Sequence, residues 1–169
     1  LAAALRISVR TLHRLLTELP PGELVCGGRS RRTRYALRRP LRGSSADTPL
    51  YAVDETGQTA LLSNLVLVHP HGAWMPMSNS PWPMPPDSRD GWWDGLPYPI
   101  YDIRPQGFLG RQLARTEHQR YGVSANPDAW SDDDIIFVLS HVGWDVSGNL
   151  LLGDEAYRLW VRTKLSPPA

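Results

Sequence analysis

Ten arginines crowd the first 43 residues, at positions 6, 10, 14, 29, 31, 32, 34, 38, 39 and 42, against only Glu18 and Glu23. That is an excess of eight positive charges. Residues 44–169 hold eight basic residues against fifteen acidic ones, an excess of seven negative charges. A chain divided in this way has a basic head and an acidic body, although its formal net charge is only +1. Guanidinium groups are not buried without partners, so the head either faces a polyanion or is tied up by carboxylates of the same molecule. The bland alternative is a solvated arginine-rich surface in an arginine-biased proteome, since Lys164 is the only lysine.

The order of elements favours a polyanion. Leu1–Leu5 reads as the end of a helix, and Arg6-Ile7 as a short break. Ser8 is placed to cap a new helix by accepting from its unpaired first-turn amides. Val9, Leu12, Leu16 and Leu19 follow the spacing of one helical face, which Leu15 widens. Arg10, His13, Arg14 and Thr17 share the opposite face, with Thr11 near its start. Pro20-Pro21-Gly22 then ends the helix. Two strand-like runs, Glu23–Gly27 and Thr33–Arg38, flank the cationic tip 28–32 as a hairpin. Helix, turn, helix and basic hairpin is the order of a winged helix-turn-helix whose first helix lies upstream. A leading Leu agrees with a chain that starts inside a longer polypeptide.

Such a head binds double-stranded DNA by known physics. Arginines that neutralise phosphates release counterions, and a helix in the major groove brings side chains to base edges. Ser8, Arg10, Thr11, His13 and Arg14 are the candidates on the helix, and Arg29, Arg31, Arg32 and Arg34 those on the wing. His13 reads equally well as a solvent-facing helix residue.

The stretch Arg39–Pro49 is rich in Gly, Ser and Pro and marks the change of charge sign. The chain divides there into a head (1–42), a linker (43–49) and a body (50–169). In the body, Leu50–Val53 and Gln58–Leu62 read as strands around the turn 54–57, with Asn64–Val68 and Gly72–Met77 as a second pair. Ser78–Asp94 reads as an irregular loop and Gly95–Ile103 as a turn into a short strand or extended run. Helices are expected over Phe108–Tyr121, from Trp130-Ser131 through Ile135–Leu139, and over Asp154–Leu165, with a last strand over Val146–Leu152. The fold class is α+β.

Motifs for catalysis are scarce. There is no glycine-rich phosphate loop, no His-Glu-x-x-His and no cysteine pair. His69 and His71 flank Pro70 but lack a third ligand, so no metal is expected. Asp132-Asp133-Asp134 reads as the acidic first turn of a helix rather than a cation site. A few tryptophans between Trp82 and Trp93 could form an exposed patch; the others read as core. The single cysteine, Cys26, fits a reducing cytoplasm. No apolar run reaches the ~20 residues that span a bilayer, so no membrane partner is expected.

Three segments carry a family resemblance: YDIRPQGFLGRQLAR (Tyr101–Arg115), WSDDDIIFVLSHVG (Trp130–Gly143) and VSGNLLLGDEAY (Val146–Tyr157). With TRYALRRPLRG (Thr33–Gly43), they resemble the N-terminal region of HipA-family toxins, in the subgroup that carries its own helix-turn-helix (the YjjJ type). Pro105-Gln106-Gly107 and the run from Gly143 to Leu150 match the family's paired signatures. The resemblance implies a bacterial toxin–antitoxin serine/threonine kinase that regulates its own transcription. It also implies that residues 50–169 are a β-rich HipA N-terminal subdomain with several helices. The ATP-binding loop, the catalytic Asp and the metal-binding Asp of the family lie C-terminal to that region. No catalytic residue is therefore carried over, and ATP and Mg are expected only for the full-length parent.

Taken together, these features describe the DNA-binding and regulatory region of such a kinase, with the kinase core as a partner and a homodimer as a reasonable oligomer. Two alternatives stay open. One is a free-standing winged-helix regulator with a ligand- or partner-binding C-terminal domain. The other is an antitoxin-like module that binds a separate kinase. Mixed with magnesium and radiolabelled ATP, the purified chain should show no autophosphorylation; clear incorporation of label would overturn this view of the body.

Overall fold

The computed structural model describes residues 5–78, 84–142 and 148–165. The expected helix end over residues 1–4, Trp82, Trp144 and residues 143–147 of the Gly143–Leu150 signature lie outside them.

Helix α1 (Val9–Thr17) starts where Ser8 Oγ accepts from the Thr11 amide at 3.0 Å. It buries no residue. Val9 and Leu15 are 63% and 42% exposed, while Leu12, Leu16 and Leu19 are half-buried. Strands β1 (Leu24–Gly27) and β2 (Arg34–Leu37) form the expected antiparallel hairpin, from Leu24 opposite Leu37 to Gly27 opposite Arg34. Its tip holds a 3-10 turn, Ser30–Arg32. Gly28 sits at φ +93°, and a Cβ there would lie 2.3 Å from the Arg32 carbonyl oxygen, so the tip closes only on glycine.

The body is built on a five-stranded antiparallel sheet. Its strands are β3 (Thr48–Val53), β4 (Thr59–Leu67), β5 (Ala73–Trp74), β6 (Trp92–Trp93) and β7 (Leu150–Leu152), in the order β6-β5-β4-β3-β7. Gln58–Leu62 and Asn64–Val68 do not make separate strands; β4 runs through both. The apparent break has a local cause. Leu50 pairs with Ser63 and Tyr51 with Leu61, so Leu62 is an extra, bulged residue. A bulge reverses the in-and-out alternation. Ser63 is buried and donates to the Pro76 carbonyl at 2.7 Å. Over 72–77 only Ala73–Trp74 is strand, while Met75 and Met77 enter the core beyond it.

Within the expected loop, a short helix α2 (Pro86–Arg89) and strand β6 appear. Trp92 and Trp93 are half-buried, so they do not form the suggested exposed patch. The short strand expected before Ile103 is instead helix α3 (Tyr98–Asp102). Proline suits its first turn, and Ile100 and Ile103, three residues apart, share its buried side.

Helices α4 (Gly107–Tyr121), α5 (Asp132–Val142) and α6 (Asp154–Leu165) fall where expected. Gly122 ends α4 in the left-handed conformation at φ 60°. Ser131 Oγ accepts from the Asp134 amide, and the Asp134 carboxylate accepts from the Ser131 amide, both at 3.1 Å, a reciprocal cap on α5. Tyr51 Oη donates to Asp154 at 2.6 Å and ties α6 to β3. That bond, followed by burial, pushes the Tyr51 pKa up to about 12.

The end of β4 is buried on both faces. Leu65 and Leu67 join Leu50, Ile100, Ala114, Ile136 and Leu139 in the main core. Val66 and Val68 point the other way, onto Val25 of the hairpin, with Ala36, Trp74 and Trp92 around them. Past Leu65, where β3 ends, residues 37–39 take up the vacated edge. Arg38 bridges Val68, the Arg39 amide donates to the Leu67 carbonyl at 2.8 Å, and the His69 amide to the Leu37 carbonyl at 2.9 Å. The basic hairpin is thus a layer laid on the sheet of the acidic body. A Cβ at Gly27 would meet the Trp74 indole nitrogen at 2.3 Å and the Asp90 carbonyl oxygen at 3.0 Å. Gly27→Ala should therefore destabilise the fold by about 1–3 kcal/mol through overpacking, read as a lower thermal midpoint; an unchanged midpoint would mean the hairpin is not seated there.

Candidate nucleic-acid interface

The ten head arginines do two different things. Arg38, Arg39 and Arg42 turn inward. Arg38 pairs with Asp47. Arg39 makes a bidentate bridge to Asp133, Nη1 to Oδ2 at 2.6 Å and Nη2 to Oδ1 at 2.8 Å. Arg42 bonds Asp134 at 2.5 Å and the Tyr121 carbonyl, with its guanidinium 4.2 Å from the centre of the Phe137 ring. Arg39 and Arg42 are only 22% and 31% exposed. The acidic first turn of α5 therefore has a use the sequence did not reveal: it receives the chain as it leaves the wing. A charge count registers all ten arginines alike, and only their partners separate them.

The nominated residues lie elsewhere. On α1, Arg10, His13 and Arg14 are exposed, and Thr11 is half-buried. Ser8 is exposed, but its hydroxyl is engaged in capping and shares a 2.8 Å hydrogen bond with Thr11 Oγ1. Arg14 lies 3.8 Å from Glu18 one turn on, with both side chains mostly in solvent, a pair worth little and readily exchanged. On the wing, Arg29, Arg31, Arg32 and Arg34 are all exposed. Arg32 Nε lies 3.3 Å from Asp90 Oδ2. The tight 3-10 turn gathers Arg29, Arg31 and Arg32 at one tip.

His69 and His71 are exposed, and no cluster of three metal-ligating side chains occurs among the described residues. One constellation missed by sequence reasoning looks catalytic at first sight. Ser140 Oγ is 3.0 Å from His141 Nδ1, and His141 Nε2 is 3.5 Å from Glu155. However, Nδ1 also lies 2.7 Å from the Phe137 carbonyl oxygen, and the Ser140 hydroxyl donates to that same oxygen at 2.8 Å. Nδ1 must carry its proton to serve the carbonyl, so it cannot take one from Ser140. The trio closes the last turn of α5. Among the described residues, no helix is long and apolar enough to cross a membrane.

Residues 44–161 match the family described as YjjJ-like toxin, middle domain. Over 157 residues the chain is 31% identical to Toxin YjjJ of Escherichia coli (strain K12), an alignment covering 93% of this chain and 33% of that protein. The chain thus spans about a third of the length of this curated relative. No solved structure matches.

The inward pairs make stability depend on pH. Burial alone would raise the Asp134 carboxyl, but hydrogen bonds from Arg42 and Ser131 outweigh it and hold the pKa below its ordinary 3.8. A depressed carboxyl stabilises the fold fully above its unfolded pKa, and the contribution is lost as pH falls through the lower folded value. Asp134→Asn should therefore lower the thermal midpoint at pH 7, and its deficit should shrink below about pH 4. A deficit that stays constant down to acid unfolding would remove Asp134 from this role.

Proposed function

The chain belongs to the YjjJ-like toxin family, and on that premise we propose that it is the DNA-binding and regulatory region of a HipA-type toxin–antitoxin serine/threonine kinase. Residues 1–42 carry a winged helix-turn-helix head, with α1 as recognition helix and β1–β2 as wing. Residues 43–49 join this head to a HipA-like N-terminal subdomain over 50–169. The family match beginning at residue 44 supports a boundary there. The protein acts in the cytoplasm, where the head binds duplex DNA at its own promoter and the body docks on the kinase core. ATP and Mg2+ belong to that core. A two-fold pair of such chains would read two half-sites.

The observation that carries this reading is the division of the arginines. Those of the 38–42 stretch hold the fold, while Arg10, Arg29 and Arg31 have no carboxylate partner among the described residues. The arginines at 10, 14, 29, 31, 32 and 34 all fall on one helix and one wing, a grouping that a merely solvated surface does not require. An α1 that buries no residue also fits a recognition helix, because nine residues rarely hold a helix in water without packing.

Arg10→Ala combined with Arg14→Ala should weaken binding to duplex DNA from the upstream promoter several-fold at ~0.15 M salt. Unchanged affinity would remove α1 from the interface. Replacing Arg29, Arg31 and Arg32 together should flatten the slope of log affinity against log salt by about 0.9 for each phosphate no longer neutralised, and a wild-type slope would remove the wing.

A further inference from the structure

Where the wing meets the body, a cleft of about 190 Å³ is lined by Arg31, Arg32, Thr33, Arg34, Asp90 and Trp92. Four of these come from the turn and start of β2, two from the loop into β6. We propose that this cleft binds a phosphate group.

The lining supplies donors in excess. A guanidinium carries five N–H donors and no acceptor. Arg32 Nε lies 3.3 Å from Asp90 Oδ2, and the Arg32 side chain is still 60% exposed, so it has donors to offer a second anion. Arg31 has no carboxylate partner among the described residues. The one acidic group, Asp90, is only 14% exposed against 60% for Arg32, so it braces the guanidinium from behind. A phosphate offers several acceptor oxygens to this array, and arginine pairs with it through two parallel bonds.

The floor of the cleft is fixed. The Asp90 carbonyl accepts from Trp74 Nε1 at 3.2 Å, the Gly91 amide donates to the Ser88 carbonyl at 3.0 Å, and the Met75 amide to the Gly91 carbonyl at 2.7 Å. The rim across from it is the Ser30–Arg32 turn, closed by the Thr33 amide on the Ser30 carbonyl at 3.2 Å. Both walls are set before any ligand arrives, and the site exists only while the wing stays on the sheet. The proposal does not need α1. It holds whether the phosphate belongs to a DNA backbone or to a free nucleotide.

Titration of the full chain with inorganic phosphate, followed by calorimetry and by phosphorus NMR line width, tests it. Saturable binding of one phosphate per chain is expected. Arg31→Gln, which breaks no ion pair of the fold, should weaken it several-fold, and Arg31→Gln with Arg32→Gln at least ten-fold. Arg111→Gln with Arg115→Gln, an equal loss of charge on the exposed side of α4, should leave it unchanged. Absent or unsaturable binding in the wild type, or an equal loss in both double variants, would overturn the site. Competition then identifies the source. Displacement of phosphate by duplex DNA assigns the site to a backbone phosphate. A nucleoside monophosphate that binds more tightly than phosphate, with no effect of DNA, assigns it to a free nucleotide. Phosphate binding without any DNA binding would leave this site standing while the DNA reading fell.

Discussion

A strand can be apolar at every position only where both of its faces are covered, because successive side chains point to opposite sides. Leu65–Leu67 at the end of β4, with Val68 just beyond it, meets that condition: helices cover one face and the basic hairpin the other. The rest of the arrangement follows from this. Once Val25 is seated on Val66 and Val68, β2 runs into the edge that β3 has left, and residues 37–39 complete the ladder. The chain then leaves the ladder at Arg39, beside the first turn of α5.

Magnitudes separate the contributions. Burying a valine or leucine side chain is worth about 1.5–3 kcal/mol, whereas an exposed ion pair gives about 0–1. The small apolar cluster therefore sets the strength of docking. The pairs of Arg39 with Asp133 and Arg42 with Asp134 fix where the chain crosses α5, and losing one partner would strand a part-buried charge. The same pairs discharge part of the head. What remains as an outward field comes from α1 and from the wing tip, the wing being seated on a body of opposite sign. An acidic body behind a basic head would favour one orientation for the proposed duplex.

Much of this was legible in the sequence. The Ser8 cap, the hairpin around its cationic tip, the Ser131–Asp134 cap and helices α4 to α6 rest on local signals, such as capping residues, glycine stops and apolar spacing. The misreadings share a cause that is not local. One bulged residue, Leu62, split β4 in two because it reversed the alternation. The prolines around Ile100 hid α3, whose apolar pair is too short to show a period. The double-sided burial of Leu65–Val68 was written in its unbroken apolar run, but its cover, a hairpin thirty to forty residues upstream, was not. For the candidate site, sequence placed Arg10, Arg14 and the wing arginines on an exposed helix and turn, yet it gave Arg38, Arg39 and Arg42 no role. Partners ninety residues away supply that role for Arg39 and Arg42.

The division of the arginines is the central claim, and the salt dependence of DNA binding by the wild-type chain measures it directly. Six arginines lie on α1 and the wing, and each phosphate neutralised contributes about 0.9 to the slope of log affinity against log salt. With exposed Arg6, which precedes α1, counted as a seventh, anisotropy titrations over a range of salt should therefore give a slope no steeper than about −6.3. A slope beyond about −8 would need the arginines assigned to the fold, and affinity that does not respond to salt would contradict the account altogether.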